Sequence, residues 1–133
     1  MQMKLTADDA KELARWFREL SVTLGNYRFS NWSKLSEEER AVIESKEWTL
    51  LNYSSDFITQ AVWIILDDAQ GSFEKLRQAT AEAKKAISNI QTIKQVISIA
   101  TSVIELAAAV MTKNPATIVT AIEHVINAVN EAL

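Results

Sequence analysis

The chain has 133 residues, a formal net charge of −3 and no cysteine. This length suits one hydrophobic core, so we predict a single helical-bundle domain over residues 1–133. The lack of cysteine excludes disulfides and thiolate metal sites, and the acidic balance argues against nucleic acid as a partner. Two glycines and one proline are too few for the turns of a sheet protein, so the composition predicts an all-α fold.

The first predicted helix begins after Thr6, whose hydroxyl can cap the free backbone amides. Its apolar residues recur at spacings of three and four: Ala10, Leu13, Phe17, Leu20 and Leu24. Gly25 is expected to end the helix, because glycine adopts the left-handed conformation at little cost. We expect the aromatic connector that follows, residues 26–34, to plug one end of a bundle, with stacking on nucleic-acid bases or insertion at a membrane surface as the alternatives.

Ser36 and Glu39 have the spacing of a capping box and open the second predicted helix, which can run to about Asp68. The first half of this helix is strongly charged, whereas residues 57–66 are apolar on more than one face. That apolar segment supplies the candidate interface residues: Phe57, Ile58, Val62, Trp63, Ile65 and Leu66.

The third predicted helix runs from Phe73 to about Thr112, unless it breaks near residues 88–91 and makes five helices instead of four. In its second half the apolar residues alternate at spacings of three and four, and a second apolar seam lies beside the first. This half is therefore expected to be the central helix. Asn114 and Pro115 begin the last helix, which we expect to fold back antiparallel on the third.

These elements predict an antiparallel four-helix bundle with two long central helices. Because a helix rises about 1.5 Å per residue, the long pair would protrude beyond the two shorter helices. The protruding end would leave residues 57–66 uncovered, which would forgo roughly 5–10 kcal/mol of burial. We expect a kink in the third helix, a symmetric homodimer, or another protein partner or a membrane to cover this segment, and we favour the dimer among the possible partners.

The sequence offers no signature of chemistry. It has no Gly-rich phosphate loop, nucleophile elbow or metal-binding histidine pair. His124 is the only histidine, and a zinc site would need further ligands beside it. The acidic residues at the start of the second helix fit the helix dipole. We therefore expect no enzyme activity, no cofactor and no metal.

The function that these observations favour is helix–helix association by a non-enzymatic bundle, with itself or with a protein partner. The alternative is a membrane-active protein that exposes apolar helices on lipid. Residues 95–112 come nearest to a membrane span, although Glu105 interrupts them. Residues 1–9 do not resemble a signal peptide, so we expect a soluble, cytoplasmic protein.

Overall fold

The computed structural model describes residues 2–4, 6–61, 64–67, 72–89, 92–112 and 114–132, with the backbone alone for residues 2–4 and 65–67. Within these ranges the chain forms five α-helices and one pair of short strands: β1 (Gln2–Lys4), α1 (Ala7–Ser30), α2 (Glu37–Thr59), β2 (Ile65–Asp67), α3 (Ser72–Asn89), α4 (Ile93–Val110) and α5 (Pro115–Ala132). A 3-10 turn, Trp32–Lys34, joins α1 to α2. The predicted all-helical class is confirmed, and the described helices number five because the third predicted helix breaks.

Helix α1 begins where the sequence predicts but continues past its glycine. The Thr6 Oγ1 accepts a hydrogen bond from the Asp9 backbone N at 3.0 Å and caps the helix. The prediction that Gly25 ends α1 is wrong. Gly25 lies inside the helix, which continues to Ser30. Glycine costs a helix roughly 1 kcal/mol relative to alanine. The contact that Arg28 makes with α2 offsets this cost.

Helix α2 has the predicted start but a different end. Both hydrogen bonds of the capping box form between Ser36 and Glu39. The predicted continuation to Asp68 is wrong, because α2 ends at Thr59 and β2 pairs as an antiparallel strand with β1. The segment after α2 is rich in isoleucine and valine, whose β-branched side chains favour a strand over a helix.

The predicted third helix is two helices, α3 and α4. The first ends at Asn89 and the second begins at Ile93, so the break falls where the sequence allowed one. One of the two apolar seams of α4 is fully buried: Val96, Ile99, Val103, Leu106 and Val110. Each of these helices has 18 residues. The prediction of two long central helices, with a protruding hairpin, is therefore wrong.

Helix α5 begins at Pro115 as predicted, and the Asn114 Oδ1 accepts a hydrogen bond from the Ala116 backbone N at 3.1 Å. Helix α5 packs against α3 and α4, while α1 packs against α2 and α3, and α2 also reaches α4. The stripe that α5 buries has helical spacing: Ile118, Ala121, Ile122, Val125 and Val129. The five helices thus contribute to one shared core.

We expect Phe57→Ala to lower the free energy of unfolding by about 3–5 kcal/mol, because Phe57 is 0% exposed and its removal would leave a cavity. Ile58→Ala, at the next position, is the matched control. Since Ile58 is 47% exposed, its truncation should cost about 1 kcal/mol or less. Urea denaturation, monitored by circular dichroism, measures the free energy of unfolding of both variants. Equal losses of stability in the two variants would contradict the placement of Phe57 in the core.

Candidate interaction surface

The six residues predicted to form an interface do not share one helix face. The Phe57 ring is buried and lies edge-on to Phe17, with ring centroids 5.1 Å apart, so its place in the predicted interface is wrong. Ile58 remains exposed on α2. The other four lie outside the described residues (Val62 and Trp63) or on β2, where only the backbone is described (Ile65 and Leu66).

Large exposed apolar side chains are concentrated in another part of the chain. Among the described residues they all fall on α1, on α2 or on the turn between them: Val22, Phe29, Trp32, Val42, Trp48 and Ile58. Trp48 is 61% exposed and Phe29 is 66% exposed. Aromatic side chains of this size usually lose most of their exposure on folding. The α1–α2 hairpin is therefore the described surface with the most apolar side chains left uncovered.

Three polar contacts set the register of α1 against α2. The Ser54 Oγ donates a hydrogen bond to the Ala14 carbonyl O at 2.8 Å. The Ser21 Oγ donates to the Glu47 carbonyl O, also at 2.8 Å. Arg28 binds the carboxylate of the same glutamate. Residue numbers rise along α1 while those of their partners fall along α2, so the two helices are antiparallel.

The positions that follow these contact residues define a separate face of the hairpin. One step along a helix is a turn of about 100°, and because the two helices run in opposite directions, both steps turn toward the same side. Leu13 and Leu20, which immediately precede the contact residues Ala14 and Ser21, are buried in the core. The residues that follow the contact residues therefore face away from the core. We call this side the outer face: Asp8, Lys11, Arg15, Arg18, Val22 and Phe29 on α1, and Glu37, Arg40, Ala41, Glu44, Trp48, Leu51, Ser55 and Ile58 on α2.

An ion pair between the helices anchors the outer face. The Arg28 Nε donates to the Glu47 Oε2 at 2.7 Å and its Nη2 donates to Oε1 at 3.2 Å, with side chains only 10% and 14% exposed. This hydrogen bonding raises the pKa of Arg28 above its ordinary value, so the guanidinium stays charged. Gly25 leaves room for the carboxylate, since a Cβ at that position would lie 2.9 Å from the Glu47 Oε1.

Stacked aromatic rings lie at the end of the hairpin where α1 meets α2. Phe29 and Trp32 stack with ring centroids 6.0 Å apart, and the Arg28 guanidinium lies 4.5 Å from the Phe29 centroid. Arg40 covers Trp32 at 4.4 Å. Tyr27 is buried, as a plug would be, but Phe29 and Trp32 are exposed, so the predicted plug is wrong for these two rings. Cation–π contacts hold them in place at the surface instead.

The outer face carries opposite charges at its two ends. Lys11, Arg15 and Arg18 lie in the first half of α1, and Glu37 and Glu44 lie in the first half of α2. Because the helices are antiparallel, the two halves are at opposite ends of the hairpin. Within the described part of the chain, Lys11, Arg18 and Glu37 make no ion pair. Asp8 at the first end and Arg40 at the second, where it covers Trp32, carry the opposite sign. The face therefore has a net basic end and a net acidic end, with apolar side chains between them.

Two grooves lie elsewhere on the described part of the chain. Helices α4 and α5 enclose a groove of about 530 Å³, lined mostly by alanine and threonine and reached by Glu105 and His124. Helices α1 and α3 line another of about 530 Å³, whose charged side chains largely pair with one another: Lys84 binds Glu19 at 3.4 Å and Arg15 binds Glu12 at 3.6 Å. The described residues contain no group of three or more histidine, aspartate or glutamate side chains placed to hold a metal ion. Neither groove therefore matches the outer face as a candidate site.

The sequence contains part of the signal for the outer face. Lys11, Arg15, Arg18 and Val22 follow one another at helical spacing, and Trp48 interrupts the charged half of α2. This periodicity groups residues within one helix, but it does not show which stripes of two helices lie side by side. The register contacts between α1 and α2 supply that information, and they are visible only in the structure.

Comparison of the chain with protein-family models, with curated proteins and with solved structures finds no match. The outer face is therefore interpreted from its own residues and geometry.

We expect Gly25→Ala to destabilise the protein even though alanine favours a helix by about 1 kcal/mol. Its Cβ would displace the Glu47 carboxylate, whose charged hydrogen bonds contribute about 1.5–3 kcal/mol. The net loss should be about 1 kcal/mol, whereas the same change in a Glu47→Ala background should gain up to about 1 kcal/mol.

Chemical denaturation of the wild type, of Gly25→Ala, of Glu47→Ala and of the double variant measures the four free energies of unfolding that this double-mutant cycle requires. If Gly25→Ala stabilises both backgrounds, the close approach of Gly25 to Glu47 does not constrain the hairpin.

Proposed function

We propose that this protein is a non-enzymatic helical bundle that acts by binding other helices through the outer face of its α1–α2 hairpin. The exposure of Trp48 carries the proposal, since this side chain is 61% exposed on the same face as exposed Val22 and Ile58. Tryptophan and arginine are the residue types that most often dominate binding energy at protein interfaces. The outer face presents both on two paired helices.

The apolar area of this face supports binding without being enough to drive it alone. Burying a large apolar side chain contributes about 1.5–3 kcal/mol, and the side chains on this face have already lost part of their exposure. Three or four of them would contribute on the order of 3–6 kcal/mol, against an association cost of at least about 4 kcal/mol. The two quantities nearly balance, so apolar burial alone predicts weak association, and complementary charge at the two ends of the face would set its orientation and speed the encounter.

The proposal includes the arrangement of the helices as two antiparallel hairpins with α3 between them. Helices α1 and α2 form one antiparallel hairpin, and the short link between Val110 and Pro115 makes α4 and α5 a second. Helix α3 contacts α1, α4 and α5. This arrangement supports the outer face from behind along the length of the hairpin, and it does so without the extended second helix that the sequence predicted.

Replacing Trp48 tests the proposal. Light scattering coupled to gel filtration should show the wild-type mass rising above the 14.9 kDa of one chain as concentration increases. Trp48→Gln should keep the mass at one chain, because it removes the largest apolar side chain of the face. Circular dichroism should show the same helix content in both proteins.

Val42→Gln is the matched control for this experiment. Val42 is 41% exposed on the same helix but lies about 120° around the helix axis from Trp48, so the variant should associate like the wild type. A wild type that stays monomeric over a wide concentration range, with both variants indistinguishable from it, would contradict self-association through the outer face and leave a different helical partner as the only form of the proposal.

A second candidate function, activity at a membrane, has one observation in its favour. Among the described helices, α4 alone is long and apolar enough to cross a bilayer, with a mean hydropathy of 1.6 over Ile93–Val110. Half of that window is buried inside the bundle, and a helix that faces a protein core has the same composition. The outer face therefore remains the stronger basis for a function.

Lipid vesicles distinguish the two candidates. If α4 stays in the core, vesicles of neutral or anionic lipid loaded with a quenched dye should neither bind the protein nor leak. Leakage that persists in Trp48→Gln would favour the membrane function, because that variant lacks the central side chain of the outer face but retains α4.

A further inference from the structure

We infer that the partner of the outer face is a second copy of this chain, bound antiparallel about a two-fold axis that lies across the hairpin. In this dimer the basic end of one copy lies against the acidic end of the other. The inference rests on the proposed function and identifies its partner and its geometry.

The charge pattern selects this arrangement among the two-fold dimers of the face. A two-fold axis parallel to the helices would bring the end that carries Lys11 and Arg18 in one copy to the same level as that end in the other. An axis perpendicular to the helices, in the plane of the interface, places them against the end that carries Glu37 and Glu44. Like charges in contact destabilise an interface and unlike charges guide its orientation, so the perpendicular axis is favoured.

The centre of the face is apolar, as a two-fold interface requires. The hydrogen bond from Ser21 to the Glu47 carbonyl places the next residues of the two helices, Val22 and Trp48, at the same level of the hairpin. Both are exposed, and neither carries a charge. A two-fold axis near this level would bring the valine and tryptophan of both copies together and would shield them from water.

The size of the face is close to that of one side of a standard interface. Helices α1 and α2 have 24 and 23 residues, so each is about 35 Å long. Two packed helices are about 20 Å wide, which gives the face an area of about 700 Å². Each partner in an interface of standard size buries about 800 Å².

A second copy fits the face better than a partner of one charge sign. An anionic membrane surface, for example, would attract Lys11 and Arg18 but repel Glu37 and Glu44. A second copy bound antiparallel places its acidic end against the basic end of the first copy and its basic end against the acidic end of the first copy.

Charge reversal at one end at a time tests the dimer. The basic-end variant is Lys11→Glu/Arg18→Glu, and the acidic-end variant is Glu37→Lys/Glu44→Lys. Each alone brings like charges together, so each should weaken self-association by about tenfold or more in the light-scattering series. An equimolar mixture of the two variants should recover the doubled mass, since each then meets its complement.

Two further variants keep this test decisive. Lys85→Glu/Lys94→Glu changes the net charge by as much as the basic-end variant does, but at exposed positions of α3 and α4. This control variant should dimerise like the wild type. Glu44 also contacts Arg28 at 3.5 Å. If its reversal lowers the helix content, Glu37→Lys/Ala41→Lys adds positive charge to the acidic end and leaves that contact intact.

The outcomes separate this inference from the proposed function. Recovery of the doubled mass in the mixture, but in neither variant alone, supports the antiparallel dimer. If the wild type associates and Trp48→Gln does not, but the mixture stays monomeric, the antiparallel dimer is overturned while association through the face stands. A wild type that is monomeric at every concentration overturns the dimer, and the proposed function then requires a helical partner other than this chain.

Discussion

The ion pair between Arg28 and Glu47 is the contact on which the described surface of this protein depends. It joins α1 to α2 through two hydrogen bonds and is almost fully buried. Sliding one helix along the other by a turn would break it together with the hydrogen bonds that Ser21 and Ser54 donate across the same pair of helices. Gly25 allows the carboxylate its position, since any side chain there would meet it. The register of the hairpin is thereby fixed, and with it the set of side chains that share the outer face.

Once the register is fixed, the charge pattern of the outer face follows from the direction of the two helices. Glu37 lies in the first turn of α2, where the helix dipole favours negative charge. Lys11 and Arg18 lie in the first half of α1, where the dipole gives them no advantage, so helix stability does not explain them. A parallel pair of helices would have placed these opposite charges side by side. The antiparallel pair separates them and leaves both sets available to a partner.

Local signals in the sequence predicted where the helices begin, whereas contacts between distant segments decided where two of them end. The caps at Thr6, Ser36 and Asn114 each depend on residues within one turn, and all three form as predicted. The end of α2 at Thr59 is different, because the segment after it pairs as β2 with β1 at the start of the chain. The passage of α1 through Gly25 likewise depends on its contact with α2, which no local pattern contains.

The wrong end of α2 also determined which interface the sequence predicted. An apolar run extended as a helix through residues 57–66 has too few neighbours to cover it, but the structure places Phe57 against Phe17 in the core. An excess of apolar residues therefore cannot be assigned to an interface before the helix ends are known. Trp48 and Arg18 lie well inside helices whose starts the sequence predicts correctly, so their exposure does not depend on where those helices end. Exposed apolar and charged residues at such positions are the better basis for inferring association.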